Sequence, residues 1–358
     1  MTMNKKLFDR LIAAVGKVAG MKLIHTNAKE FCTDPWEHVY RVVEPALALA
    51  PATFLNHLQA HQTSNGVSQA VATYDSAPIF DWMMSLVPLQ GISDQIASRY
   101  TEQHGGVTNA EIQGALSVLQ GCSRLTSYWH FAECRYRKVG RTCAEPDHIG
   151  ACALPLPRLR KGSLNQAAYS LALFIRDVCD GDFVGWIDTR LAEADPGPRA
   201  RGRGPLMREA VLNPLCEIYG IGPKLWAMML ADLLLGADPN RERWVAAGAW
   251  MIAVDSLVHN YLRRTGTLAR FDAEHTFGSA CTAPGGCAEI IEGLACRIDA
   301  RAYNPDFPAA FPRFVQAALW GFCAEAGWDI CNGNRIDDRA GCQQRQCPAF
   351  GVCDRRQN

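Results

Sequence analysis

Apolar residues recur at helical spacing along most of this chain, and strict apolar–polar alternation is scarce. That periodicity restricts the chain to helices packed on helices, an all-α fold. The spacing predicts helices over 77–86, 94–103, 110–121, 165–178, 206–219, 223–235 and 256–264. Thr108 and Glu111 form a capping-box pattern ahead of the third, with Thr capping the helix and Glu bonding back. Pro214 should kink or restart the 206–219 helix, because proline lacks an amide and crowds the preceding turn. Gly266 stops the last one.

A chain of 358 residues can bury a substantial core as one large or two medium domains. The expected division is an N-terminal helical extension, 1–75, packing with a C-terminal lobe, 267–358, and a helical body, 76–266. An insertion at 127–205 interrupts the body. Within it, residues 134–161 carry seven Lys/Arg against two acids and no periodicity, and residues 195–205 (DPGPRARGRGP) read as a linker that cannot be helical. Formal net charge is zero, so any nucleic-acid footprint has to be local. Lys5 and Lys6 begin the chain like a leader, but Asp9, Arg10 and Lys17 break the apolar segment into an amphipathic helix. No run has the length of a membrane span, and a cytoplasmic, nucleoid-associated monomer is expected.

Residues 218–227 read IYGIGPKLWA. Gly220 and Gly222 bracket one apolar residue between two helical patterns, with Pro223 at a first helical position, where its missing amide costs nothing. The free amides of such a turn form an anion site, although a plain αα-hairpin has the same glycines. Thirty residues on comes AVDSLVHNYLRRTG, with Asp255 at a helix start. Together these stretches resemble the helix-hairpin-helix DNA glycosylase superfamily, whose hairpin would span 206–235 in a two-lobed fold with a DNA-binding cleft between the lobes. The resemblance places Lys224 at the catalytic-lysine position of the bifunctional members and Asp255 at the catalytic aspartate. It also implies a monovalent cation at the Gly220–Gly222 turn, which would grip a backbone phosphate. The Lys224–Asp255 separation exceeds the family's, implying an insertion around 236–247. Leu257 stands where members commonly have His, and His259, two residues further on, is no obvious substitute.

Fifteen cysteines favour metal or cluster ligation over a disulfide framework in a chain read as cytoplasmic. Cys331, Cys342, Cys347 and Cys353 crowd the last 28 residues with spacing C-x10-C-x4-C-x5-C. Four thiolates hold either a [4Fe–4S] cluster or zinc. With Gly327 four residues before Cys331, the segment is similar to the iron–sulfur loop of endonuclease III-type glycosylases, although its first two spacings are expanded. Arg335, Arg339 and Arg345 lie between the ligands, where a rigid loop would aim them at phosphates. A weaker likeness at 89–94 (LQGISD) suggests Gln90 as the residue wedged into the space left by a flipped base.

Cys134, Cys143, His148 and Cys152 form C-x8-C-x4-H-x3-C, a second candidate zinc set, or else a loop in which thiols are small fillers. Their surplus of Arg135, Arg137, Lys138, Arg141, Arg158, Arg160 and Lys161 suits a DNA backbone or a solvated loop. Cys281, Cys287 and Cys296 show no ligand spacing and are expected in the core. Trp129, Tyr169, Trp226, Trp244 and Trp250 either stack on a base or pack inside. What the resemblance implies is a base-excision enzyme acting on double-stranded DNA. Its amine, if deprotonated, attacks the sugar; otherwise water does. A silent DNA-docking module and a zinc-stabilised scaffold are the rivals.

Overall fold

The computed structural model describes residues 34–90, 94–104, 106–118, 122–137, 139–140, 142–145, 152, 164–333 and 336–357. In chain order the α-helices are α1 (Pro35–Leu49), α2 (Phe54–Ser64), α3 (Val67–Thr73), α4 (Ser76–Leu86), α5 (Asp94–His104) and α6 (Asn109–Val118). They continue with α7 (Tyr128–Phe131), α8 (Asn165–Asp177), α9 (Phe183–Ala194), α10 (Arg203–Cys216), α11 (Pro223–Gly236) and α12 (Glu242–Gly248). The last are α13 (Ser256–Arg264), α14 (Thr267–Arg270), α15 (Cys287–Ala295) and α16 (Pro312–Cys323). Two short strands, β1 (Tyr136–Arg137) and β2 (Thr142–Cys143), pair antiparallel, with Tyr136 opposite Cys143. None of the described helices is long and apolar enough to cross a membrane.

The chain forms two compact units, one of residues 1–54 with 252–358 and the other of residues 55–251. The sequence-based divisions at 75 and 266 therefore move to 54 and 251. The second shift matters for function, because it assigns Asp255 and α13 to the unit that carries the terminal cysteines.

The 55–251 unit is built around α8, in which 11 of 13 residues are buried, from Asn165 to Ile175. A helix apolar on nearly every side belongs inside a bundle. Its neighbours contribute one continuous apolar cluster that includes Phe80, Met83, Phe174, Leu215, Trp226, Met229 and Trp244. The capping box forms as expected: Glu111 N–H donates to Thr108 Oγ1 at 3.3 Å, and Thr108 N–H to Glu111 Oε2 at 2.9 Å. Pro214 does not break its helix. It sits in the last turn of α10, and the Ala210 carbonyl that its missing amide would have served accepts from Arg190 Nε at 3.3 Å. The linker expectation for 195–205 is corrected too. Its end is helical from Arg203, whose guanidinium bonds Asp195 at 2.6 and 2.8 Å and Glu242 at 2.5 and 2.7 Å, so an ion-pair network fixes the segment.

The other unit packs α1 on α14, α15 and α16. Its core is aromatic: Phe307, Phe311 and Phe314 stand with ring centroids 4.9–5.9 Å apart, and Trp36 meets Phe271 edge-on at 4.6 Å. Long irregular segments separate its helices, and cysteine and histidine side chains gather along two of them.

Candidate functional site

The hairpin of the 55–251 unit joins α10 to α11 through residues 217–222. Gly220 has φ +85°, and a Cβ there would lie 3.3 Å from Ala167 Cβ and 3.4 Å from its backbone nitrogen, so the turn requires glycine. Gly222 differs: its backbone is extended and an added Cβ would touch nothing within 4 Å. Ile221 is buried between them and anchors the turn. Tyr219 N–H donates to Ser170 Oγ of α8 at 3.0 Å.

Gln90 takes part in this turn. Its side-chain amide donates to the Gly220 carbonyl at 3.0 Å, and its oxygen accepts from Gly222 N–H at 3.3 Å. The side chain that the likeness assigns to wedging is here clamped across the hairpin. α11 begins with Pro223, and its N-cap Gly222 offers no side-chain acceptor to the first-turn amides. The Lys224 side chain is exposed.

Asp255 belongs to the other unit. It is the N-cap of α13, accepting from Val258 N–H at 2.9 Å through Oδ1, and its side chain is half-buried. Cap and candidate catalyst are thus one carboxylate. The far end of α13 reaches the terminal cysteines. Tyr261, Arg264 and Thr265 line a small, mostly apolar pocket, with Cys331, Cys342, Cys347 and Cys353 on its other sides. Arg264 is buried, donates to Cys331 Sγ at 3.2 Å and bonds Asp338. The thiol of Cys323, in α16, is hydrogen-bonded to Cys331 and, with Arg264, holds the Cys331 thiol below its ordinary range. Arg355 N–H donates to Cys353 Sγ at 3.3 Å.

The donors at the C-terminal pocket are four cysteine thiols, a set that can hold either an iron–sulfur cluster or zinc. They face one shared cavity, yet among the described residues they do not form a set close enough for one metal. Burial pushes Cys347 up to about 11 and Cys353 up to about 12, so a bound cationic core would be what makes them thiolates. The N–H···S and guanidinium–sulfur bonds are the partners cluster sulfurs need. Arg339 is exposed and pairs with Asp337 at 3.3 Å, and Arg345 is exposed; Arg335 lies outside the described residues.

A tight metal-ligand set lies elsewhere, where sequence reasoning expected core. His259, His275, Cys281 and Cys287 bring their ligand atoms within 4.8 Å of one another. His259 Nδ1 lies 3.4 Å from Cys287 Sγ and 3.5 Å from Cys281 Sγ, and His275 Nε2 lies 3.4 Å from Cys287 Sγ. Burial, with His275 and Arg263 adding to it, lowers His259 to about 4 and keeps its imidazole neutral. Cys281 and Cys287 are buried as expected, but beside ligands. Cys296, expected in the core, is exposed. The only hint in the sequence is the spacing H-x15-H-x5-C-x5-C, which is too wide to stand out among fifteen cysteines.

The other zinc expectation is not gathered in the same way. Cys134 precedes β1 and Cys143 lies in β2, and burial raises the Cys134 thiol, with Cys122 and Cys143 adding smaller repulsions. Among the described residues, Cys134, Cys143 and Cys152 are not close enough for one ion, and His148 lies outside the described residues. Lys138, Arg141, Arg158, Arg160 and Lys161 also lie outside them. Of the aromatic candidates, Tyr169, Trp226 and Trp244 are core residues, Trp250 packs against Gly204, and Trp129 is exposed.

Compared with protein-family models, curated proteins and solved structures, the chain matches none of them.

Proposed function

We propose that this chain is a DNA base-excision enzyme, a glycosylase of the helix-hairpin-helix type with a cluster-bearing C-terminal loop. The observation that carries the reading is α13. Its first turn presents Asp255, and its last turn lines the four-cysteine cavity through Tyr261, Arg264 and Thr265. Two motifs that resemble one family, 76 residues apart from Asp255 to Cys331, therefore meet on one nine-residue helix.

In this reading the open end of α11 binds a backbone phosphate through the Lys224 and Leu225 amides, and the target nucleotide rotates out of the stack at a cost of a few kcal/mol. As the glycosidic bond breaks, the base leaves with the bonding electrons, and the Asp255 carboxylate stabilises the positive charge on the sugar. In the bifunctional form the Lys224 amine, once deprotonated, bonds to C1′ as the base leaves and gives up a proton. The C1′–O4′ bond then opens, O4′ takes a proton, and the protonated imine so formed permits β-elimination of the strand. The cluster, when bound, supplies rigidity to the loop carrying Arg339 and Arg345.

The exposure of Lys224 favours a second reading of the same site. A nucleophilic amine is ordinarily activated by desolvation, and a solvated lysine would leave attack to a water oriented by Asp255. Incision assays on duplexes bearing oxidised, deaminated, alkylated and enzymatically modified bases test the class. No excision of any of them by iron-loaded protein would count against it. Borohydride trapping then separates the mechanisms: a covalent adduct lost in Lys224→Ala supports the lyase, and excision without an adduct supports the water mechanism.

A further inference from the structure

The His259, His275, Cys281 and Cys287 cluster has the dimensions of a mononuclear tetrahedral site. Zinc bonds of about 2.3 Å to sulfur and 2.0–2.1 Å to nitrogen, at tetrahedral angles, put neighbouring N and S ligands about 3.6 Å apart. Three of the four N···S edges here are 3.4, 3.5 and 3.4 Å.

The protonation pattern agrees. His275 Nδ1 lies 2.6 Å from the carbonyl of Ala273, which can only accept, so Nδ1 carries the proton and Nε2 presents its lone pair to the cluster. A backbone carbonyl orienting the far ring nitrogen is the usual outer partner of a metal-bound histidine. Cys287 is the first residue of α15, and its Sγ lies 3.4 Å from a nitrogen of each imidazole. Replacing two thiol protons by one Zn²⁺ releases both protons to solvent and leaves a neutral set, as burial of His259, Cys281 and Cys287 requires.

The ligand order excludes a two-iron alternative in which histidines hold one iron and cysteines the other. That arrangement separates the two pairs, whereas Cys287 Sγ touches both imidazoles.

The segment that delivers these ligands also needs holding. Residues 271–286 contain no regular structure beyond one turn at Ser279–Cys281. The chain curls so tightly that a Cβ at Gly286 would lie 2.9 Å from the Ala283 and Cys281 carbonyls. A structureless stretch of this length inside a compact unit calls for a staple.

We propose that His259, His275, Cys281 and Cys287 bind one structural zinc ion, separate from the four-cysteine centre, which fastens residues 271–286 and the start of α15 to α13 one turn beyond Asp255. The proposal does not depend on the DNA chemistry.

The test is elemental analysis of the purified full-length protein, followed by zinc K-edge absorption spectroscopy. The expected result is about one zinc per chain with two sulfurs near 2.3 Å and two nitrogens near 2.0–2.1 Å. Folded, iron-loaded protein without zinc would overturn it, leaving the four side chains as a thiol–imidazole hydrogen-bond network. An all-sulfur shell would overturn it as well. His275→Ala and Cys281→Ser should lower zinc content at least tenfold with iron unchanged, whereas His148→Ala should leave zinc unchanged. Full zinc retention in both ligand variants would also sink the proposal. Should those variants fail to fold, the ligand shell of the unaltered protein still decides.

Discussion

The two units solve the same stability problem with different chemistry. The 55–251 unit closes over one continuous apolar cluster, with α8 buried along most of its length. The unit of residues 1–54 and 252–358 has an aromatic core between its helices, and it gathers eight sulfur and nitrogen ligands at two places beside α13. Where the chain is helical, burial of apolar area suffices. Where long loops must keep one shape, ligand side chains converge instead. The difference puts Asp255 at the start of α13, which carries His259 of the cysteine–histidine group and whose end lines the four-cysteine pocket.

The largest effect should come from stripping metal. Chelation under mild denaturant should unfold the ligand-held unit, with losses on the order of 10 kcal/mol of binding free energy, while the apolar unit keeps its helices. Limited proteolysis should then leave a resistant fragment near residues 55–251. One cooperative transition for the whole chain would erase the contrast.

Next in size is the polar exception inside the apolar unit. Arg203→Met leaves the Asp195 carboxylate, 6% exposed, without its main partner, and should cost about 3 kcal/mol in denaturant melts at neutral pH. Hydrogen bonds from Arg203, opposed by burial and joined by Arg243, hold Asp195 well below the usual carboxylate range. A depressed carboxylate stabilises the fold above its unfolded pKa of about 3.9 and loses that contribution as pH falls through the folded value. The deficit of the variant should therefore shrink below about pH 4.

Smaller still is the hairpin. Gly220→Ala forces a positive φ and a contact with Ala167, for about 1–2 kcal/mol. Gly222→Ala should change stability by less than about 0.5 kcal/mol, because its Cβ meets open space, yet it should weaken duplex binding in a titration if that face grips phosphate. The least change in stability belongs to Asp255→Asn, which keeps the cap and should stay within about 0.5 kcal/mol of the parent. Excision should nonetheless fall at least ~100-fold, since the charge is gone. Retained activity would reduce Asp255 to a cap.

Much of this was legible along the chain. Ser256–Arg264 and the start of α11 at Pro223 emerge where periodicity, Asp255 and the Gly222–Pro223 pair place them, because caps and turns are chosen by neighbours within four residues. The terminal cysteines could be read as a centre because they are dense in one short segment. The bonds of Gln90 to the hairpin were not legible, since a hydrogen bond to residues 130 and 132 positions away leaves no local trace.

The sequence alone determined a mostly helical chain, the hairpin turn at Gly220, the capped helix behind Asp255 and a four-cysteine loop. Each follows from short-range sterics, capping or ligand density. Only the tertiary structure decided that α13 ends at that loop's cavity, that the unit boundary falls before Asp255, and that His259 meets Cys281 and Cys287, 22 and 28 residues further on. Ligands brought together by packing carry no spacing rule, because the fold of residues 271–286, rather than their order, sets the distances between them.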